Sequence, residues 1–504
     1  DGAGALVTEH ERPRHRPLAI DRVQVRVADA ARAVAHADFT RARIGKLERL
    51  DRERRVGAVE HGGTDRGRHA GRSISRTLRP VHEQTTLPDG LRVISETIES
   101  VRSVAVGVFV GVGARDERPP EAGATHLIEH LLFKGSERYD QMEIARVSDR
   151  LGSELNAFTT RESTVVHVRV LDEHLPLALD VMCDMAARPR FEAEALESER
   201  EVVLEEIAMI EDDPSDLVHD VAARCVFGDH ELGRPVIGSA ATVRALTNSD
   251  ISAYHSLRYG AGNVVVAAAG NVEHDAFRAL VAERLQLGEA ERAVRSTPAV
   301  IGGRQLFLAR DTEQYHVCLS APGLRRDDDR RFALALLDHV LGGAASSRLV
   351  QEIREQRGMA YSVYSYTASY DDAGQVGIYV GTRAENVREC VEIARAQMAD
   401  FAAGGLTADE LERAKESVKG RMLLALESTS SRMSRLGRAV LSGSEILSLD
   451  EVAARVDAVT HEDVTAIAAE FFAPESFSIA GIGPDHDRFT AAVGGEVALL
   501  EAVA

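Results

Sequence analysis

The strongest constraint on the fold is that the second half of the chain repeats the order of elements predicted for the first. Segments from 317 to 380 again give strand, helix, helix and paired strands. Two copies of one α+β unit need two hydrophobic cores, which a chain of 504 residues can build. In the first half, periodicity and β-branched residues predict strands at 91–95, 103–110 and 164–170 and helices at 124–134, 141–152, 174–187 and 192–212.

The predicted architecture is therefore α+β, with two homologous domains that each pack an antiparallel-rich sheet with helices. We expect these domains at 84–286 and 304–500. A linker is predicted at 287–303, where Gly288, Pro298 and two further glycines interrupt the patterns. Two such halves predict a clamshell with a ligand cleft between them.

Residues 1–80 differ from the rest in composition. They contain 17 Arg and 1 Lys against 11 acidic residues, which gives a net charge of +7. Since the whole chain carries −20, the residues after 80 carry −27. With little apolar periodicity, this Arg/Ala-rich extension is predicted to be disordered. Mitochondrial presequences are also Arg-rich but poor in acids, which makes the mitochondrial matrix the weaker alternative to a cytoplasmic location. The sequence leaves open whether this extension is native, a targeting segment or a misassigned start.

Composition excludes several classes of protein. A net charge of −20 argues against a nucleic-acid binder. No apolar run approaches the roughly 20 residues of a membrane-spanning helix, and no secretory signal pattern is present. The four cysteines lie far apart without a CxxC pair, so we expect small buried side chains in a reducing compartment.

A chemical motif lies in the first predicted helix. His126 and His130 are four residues apart and Glu129 lies three after the first, so all three project from one helical face. Two neutral imidazoles at this spacing can occupy adjacent corners of a zinc tetrahedron. The pattern predicts a metal site, although two partly buried histidines of an amphipathic helix would look the same in isolation.

A later helix offers a third ligand. Glu199 and Glu206 are seven residues apart and hence lie two turns along one face of the helix at 192–212. Either could complete a two-histidine, one-glutamate zinc site with an open fourth position for water.

The sequence His126-Leu127-Ile128-Glu129-His130 resembles the inverted zinc motif of the pitrilysin family, which includes insulin-degrading enzyme and the mitochondrial processing peptidases. The resemblance covers about residues 84 to 500 and looks nearest to the processing-peptidase branch. It implies one zinc ion per chain, held by His126, His130 and Glu206, which lies 76 residues after His130. It implies Glu129 as the base that takes a proton from the attacking water, and Glu199 as a catalytic residue that does not bind zinc.

The resemblance also implies substrate-binding residues. Asn156 and Ala157 correspond to an edge strand to which the substrate backbone adds as an extra strand. Arg354 and Tyr361 match a pair that faces the zinc across the cleft, where the phenol can donate a hydrogen bond to the developing oxyanion. In the second half Ala335 stands where the first histidine of the motif would be, four residues before His339, so no second metal site is predicted.

Some of these residues have alternative interpretations. Acidic residues surround Glu199, which could belong to a solvated helix face. Arg354 could be a surface cation, and Tyr361 a core residue of a strand.

These patterns predict a zinc-dependent endopeptidase that cleaves unfolded peptides or presequence-like segments, with a preference for basic ones because of the acidic remainder of the chain. We expect a homodimer, or a heterodimer with a homologous subunit. Two alternatives remain: a non-catalytic scaffold or binding subunit with this fold, and one active half of a heteromeric processing peptidase.

Overall fold

The fold consists of two six-stranded sheets, one from each half of the chain. The computed structural model describes residues 82–291, 293–299, 302–473 and 476–501. The extension predicted at residues 1–80 lies outside these described residues. The α+β class with two homologous halves is confirmed.

The first sheet has the spatial order β1-β2-β6-β3-β5-β4, with β4 at one edge. Within it, β2 and β6 pair in parallel and the other neighbours pair antiparallel. Its strands are β1 (His82–Thr86), β2 (Arg92–Thr97), β3 (Ser103–Val110), β4 (Asn156–Thr159), β5 (Thr164–Leu171) and β6 (Val264–Gly270). Its helices are α1 (Ala124–Leu132), α2 (Gln141–Leu151), α3 (Leu175–Ala187), α4 (Ala193–Glu211), α5 (Pro214–Phe227), α6 (Ala240–Ala245), α7 (Asn248–Arg258) and α8 (His274–Arg284).

The second sheet has the corresponding order β12-β7-β11-β8-β10-β9, with β9 at the edge. Its strands are β7 (Gln305–Ala309), β8 (Tyr315–Gly323), β9 (Ala360–Ser369), β10 (Gly374–Thr382), β11 (Ser478–Gly483) and β12 (Ala498–Leu500). Its helices are α9 (Arg331–Leu341), α10 (Val387–Ala402), α11 (Ala408–Ala425), α12 (Thr429–Ser442), α13 (Leu449–Ala458), α14 (His461–Phe471) and α15 (His486–Val493), and a π-helix spans Val350–Glu355. Between α8 and β7 the described residues form neither helix nor strand.

Each sheet is covered on one face by a helix from the other half. Helix α12 packs on β2, β3 and β6 of the first sheet, and helix α5 packs on β7, β8 and β11 of the second. Strands buried on both faces favour unbroken apolar runs over alternation. This explains why all seven residues of β6 are buried.

On its other face the first sheet carries the helices that hold the candidate site. Helices α3 and α8 pack on the strands, while α1 contacts α4, α7 and the edge strand β4. Four apolar residues of α1, Leu127, Ile128, Leu131 and Leu132, have no exposed surface and anchor the helix in the first core. None of the helices in the described ranges is long and apolar enough to cross a membrane.

Candidate metal centre

Helices α1 and α4 bring three potential ligands together. His126, His130 and Glu206 each offer one ligand atom, and these atoms lie within 4.8 Å of one another. Oε2 of Glu206 is 3.7 Å from Nε2 of His126 and 3.5 Å from Nε2 of His130. The structure thus brings the predicted motif and the predicted third ligand into one cluster.

Glu199 lies behind this cluster, as a partner of His130. Nδ1 of His130 donates a hydrogen bond to Oε2 of Glu199 over 3.1 Å, and Nζ of Lys134 lies 2.5 Å from Oε1. A carboxylate that accepts from the outer nitrogen of an imidazole fixes the tautomer and orientation of a ligand histidine. The buried position of Glu199, 4% exposed, rules out the solvated-face interpretation.

The two histidines have opposite protonation tendencies. Burial, together with the charge of His130, lowers the pKa of His126 to about 4. Burial also opposes charge on His130, but the hydrogen bonds to Glu199 and Glu206 outweigh it and raise its pKa to about 10. Burial likewise opposes charge on Glu199, yet His130 and Lys134 lower the pKa of this carboxyl.

Glu129 is buried beside the cluster, and this burial raises the pKa of its carboxyl group. Its Oε2 accepts no hydrogen bond from the described part of the protein. Thr159 of β4 is close enough to favour the charged form of Glu129. A buried carboxylate with an open oxygen suits a group that exchanges a proton with a reacting molecule.

The predicted substrate strand is the edge strand β4, which begins at Asn156. Within the described sheet, β4 pairs with β5 alone. Asn156 and Ala157 are 5% and 1% exposed, and Oδ1 of Asn156 accepts from the amide of Ala157. The side chains therefore support the strand, and contact with another chain would come through its backbone edge.

Arg354 and Tyr361 lie together in the second half. The guanidinium of Arg354, in the π-helix, lies 5.5 Å from the ring centroid of Tyr361 at the start of β9. Tyr361 is 84% exposed, so the core interpretation of this residue is wrong. The structure therefore brings the two residues of the predicted pair into contact with each other.

The equivalent helix of the second half, α9, packs into the second hydrophobic core. His339 is buried at the position of the motif, and burial lowers its pKa to about 4. Within the described residues, the only group of three or more potential metal ligands is the one in the first half.

Sequence reasoning missed two charged residues near the site. Lys134 holds the outer oxygen of Glu199. Glu117 accepts hydrogen bonds from two backbone amides at the start of α1. The one-turn spacing of Lys134 from His130 was an available signal for the first, whereas no spacing rule pointed to Glu117.

The donor set fits a catalytic zinc ion. Two imidazoles and one carboxylate converge, and the outer nitrogen of His130 is already occupied by Glu199. Nδ1 of His126 is buried without a hydrogen bond from any described residue. Three protein ligands of these types leave a fourth position for water.

Comparisons with known proteins place the chain in a family. Residues 92–240 match the family described as Insulinase (Peptidase family M16), and residues 245–418 match the Peptidase M16 inactive domain. The chain is 44% identical over 419 residues to an uncharacterized zinc protease of Streptomyces coelicolor, covering 80% of this chain and 90% of the relative. It is 39% identical over 400 residues to an uncharacterized zinc protease of Bacillus subtilis, covering 79% and 97%. The chain belongs to peptidase family M16, which confirms the family resemblance.

Solved structures support the same fold. A peptidase M16 inactive domain from Pseudomonas fluorescens matches with a TM-score of 0.75 at 24% identity, over 80% of this chain and 98% of that one. A protease from Helicobacter pylori matches with a TM-score of 0.74 at 22% identity, over 80% of this chain and 100% of that one.

The boundary between the two family matches does not coincide with the boundary between the two sheets. The matches meet between residues 240 and 245, whereas β6, further along the chain, still belongs to the first sheet.

Proposed function

We propose that this protein is a zinc-dependent endopeptidase that hydrolyses peptide bonds in unfolded peptides or presequence-like segments. The observation that carries the proposal is the convergence of His126, His130 and Glu206, with His130 oriented by Glu199. Zinc proteases among its relatives support the same reaction class.

His126, His130 and Glu206 would hold one zinc ion per chain. When bound, zinc supplies a Lewis acid that makes water acidic near neutral pH and polarises a carbonyl. Glu129 takes the proton of the attacking water on its open oxygen and passes it to the leaving amine. Glu199 keeps the proton of His130 on Nδ1, so that the imidazole offers an unprotonated Nε2 to the metal.

The substrate adds to the open edge of β4. Backbone pairing gives affinity without a strict sequence requirement, as expected for an enzyme that takes unfolded chains. Thr159 at the end of β4 lies beside Glu129, so a peptide strand on this edge passes the catalytic carboxylate. Side chains of Asn156 and Ala157 keep the edge in place from within the core.

Basic peptides are the preferred class. The chain beyond residue 80 carries a net charge of −27, and attraction at long range raises the encounter rate with cations. Low salt strengthens such attraction and high salt screens it. Equal cleavage of acidic and basic peptide libraries at low ionic strength would contradict this preference.

The active form is a dimer in the cytoplasm, either of two copies or with a homologous subunit. Tyr361 and Arg354 are exposed, which suits a pair that completes a cleft shared by two subunits. Mixing Glu129→Gln with Tyr361→Phe tests this arrangement, because each variant retains what the other lacks. Recovered activity supports a cleft shared by two copies of this chain, and a lack of recovery contradicts that homodimeric arrangement.

The central experiment measures zinc content and cleavage of a quenched-fluorescence peptide library by the purified full chain. Glu129→Gln should keep zinc and lose activity, whereas Glu201→Gln, exposed on α4, should behave as wild type. Wild-type activity in Glu129→Gln contradicts the proposed base. Zinc binding without cleavage, alone and with added homologous subunit, favours the scaffold.

A further inference from the structure

Three consecutive ionisable residues are buried in the segment that precedes the metal-binding helix α1, which begins at Ala124. Arg115, Asp116 and Glu117 are 3%, 7% and 3% exposed and lie at the end of a single 3-10 helical turn that begins at Ala114, here called the charged turn. Burying three adjacent charges is costly unless each is paired. Their partners lie in three different parts of the molecule.

Glu117 contacts the start of α1. Its Oε1 accepts from the amide of Thr125 over 2.7 Å, and its Oε2 accepts from the amide of Gly123 over 2.9 Å. Amides at a helix start have no partner within the helix, and a carboxylate is favoured there by the helix dipole. Thr125 directly precedes His126, so Glu117 fixes the backbone that carries the first ligand.

Arg115 ties the same turn to the second half. Its guanidinium donates to Glu162 over 2.8 Å and to Asp372 over 2.7 Å. Asp372 lies between β9 and β10 of the second sheet. The guanidinium thus bridges one carboxylate of each half through two charge-assisted hydrogen bonds.

Asp116 ties the turn to the segment between the halves. Arg295 donates to both carboxylate oxygens of Asp116 over 2.9 Å and to Asp371 over 2.6 Å. The charged turn is therefore joined to the metal helix on one side and to the linker and second half on the other.

We propose that Glu117 is a positioning residue of the metal centre, and that the charged turn couples the placement of the second half to the geometry of His126. This inference rests on the proposed zinc function. It assigns no contact between Glu117 and substrate or metal. Loss of the two accepted hydrogen bonds leaves the first turn of α1 free to shift, which displaces one ligand relative to the other two.

The test compares Glu117→Gln with Glu121→Gln, a nearby, partly buried glutamate whose carboxylate accepts hydrogen bonds from Arg118. A glutamine at 117 can accept from one amide but turns its own NH₂ toward the other. We expect zinc affinity to fall roughly tenfold, at the lower end of the range for groups that orient ligands. The visible spectrum of the Co²⁺-loaded protein should also change, while Glu121→Gln matches wild type in both measurements.

The outcomes separate the two proposals. Wild type that binds neither Zn²⁺ nor Co²⁺ overturns the zinc function. Wild type that binds both, with Glu117→Gln unchanged in affinity and spectrum, overturns the positioning role alone.

If Glu117→Gln does not fold, Asp372→Asn tests the coupling instead. It weakens the ion pair between Arg115 and the second half, and the Asp372 side chain is 27% exposed, so the protein should still fold. Weaker Zn²⁺ binding by folded Asp372→Asn, judged by an unchanged circular dichroism spectrum, supports the coupling. Unchanged affinity overturns it.

Discussion

Nδ1 of His130 lies 3.1 Å from Oε2 of Glu199. Glu199 lies on helix α4, seven residues before the third ligand, Glu206. Because a carboxylate can only accept, the imidazole donates from Nδ1 and directs Nε2 toward His126 and Glu206. One face of α4 thus supplies a ligand and the group that orients another ligand. The lysine at 134 completes the arrangement by holding the second oxygen of Glu199.

Glu199→Gln should weaken zinc binding by about 10- to 100-fold, the usual effect of removing a carboxylate that orients a ligand histidine. The amide no longer attracts the His130 cation and competes as a donor. Competition with a chelator of known affinity measures the change. Glu201→Gln, exposed two residues later, is the matched control and should bind as wild type. Equal affinities of the two variants would show that the contact has no role in metal binding.

Zinc uptake near neutral pH should release about one proton per chain. His126 is already neutral there, with a pKa of about 4, whereas His130, with a pKa of about 10, must lose its proton before Nε2 can bind. Affinity should therefore fall as pH decreases below about 10. Calorimetry in two buffers of different ionisation enthalpy measures the release. Uptake without proton release would contradict the assigned charge of His130.

The same shift affects the metal-free protein. A histidine whose pKa is raised on folding stabilises the folded state below its unfolded pKa of about 6.5, and this contribution disappears as pH rises through about 10. Glu199→Gln removes a cause of the raised pKa and should reduce this alkaline loss of stability, measured by urea unfolding at several pH values.

The sequence predicts the local part of the site well and the long-range part poorly. Residues four apart on one helix must share a face, so His126 and His130 could be paired from spacing alone. Spacing left Glu199 and Glu206 as equal candidates, and family resemblance was needed to choose. The structure shows the physical difference: Glu206 faces both Nε2 atoms, and Glu199 faces Nδ1.

The fold shows the same division. The strand and helix order followed from periodicity, because burial of one face leaves a pattern in the sequence. Exchange of α5 and α12 between the halves did not, since an amphipathic helix shows which face is buried but not against which sheet. The partner of Glu117 was hidden for a related reason: backbone amides carry no sequence signal.

Tyr361→Phe should reduce kcat by about 10²- to 10³-fold if the phenol stabilises the oxyanion, as measured for comparable donors. Zinc affinity should not change, because the ligands assigned to the ion are His126, His130 and Glu206 and not Tyr361. Stability should change by less than about 0.5 kcal/mol, since the side chain is 84% exposed. Steady-state kinetics with a peptide substrate, alongside zinc content, test this. An unchanged kcat would remove Tyr361 from the reaction.

Gly437→Ala should destabilise the protein, because helix α12 packs against the first sheet with no room for a methyl group. A Cβ atom at Gly437 would clash with the fully buried ring of Phe109 on β3. Overpacking of this kind costs about 1–3 kcal/mol, more than the roughly 0.5–1 kcal/mol that alanine gains over glycine within a helix. Gly420→Ala in α11 is the matched control, since its Cβ would meet nothing within 4 Å. Urea unfolding should show a loss for Gly437→Ala and a gain for Gly420→Ala. A gain in both would mean that α12 does not press on the first sheet, and that the exchange of helices contributes little to holding the halves together.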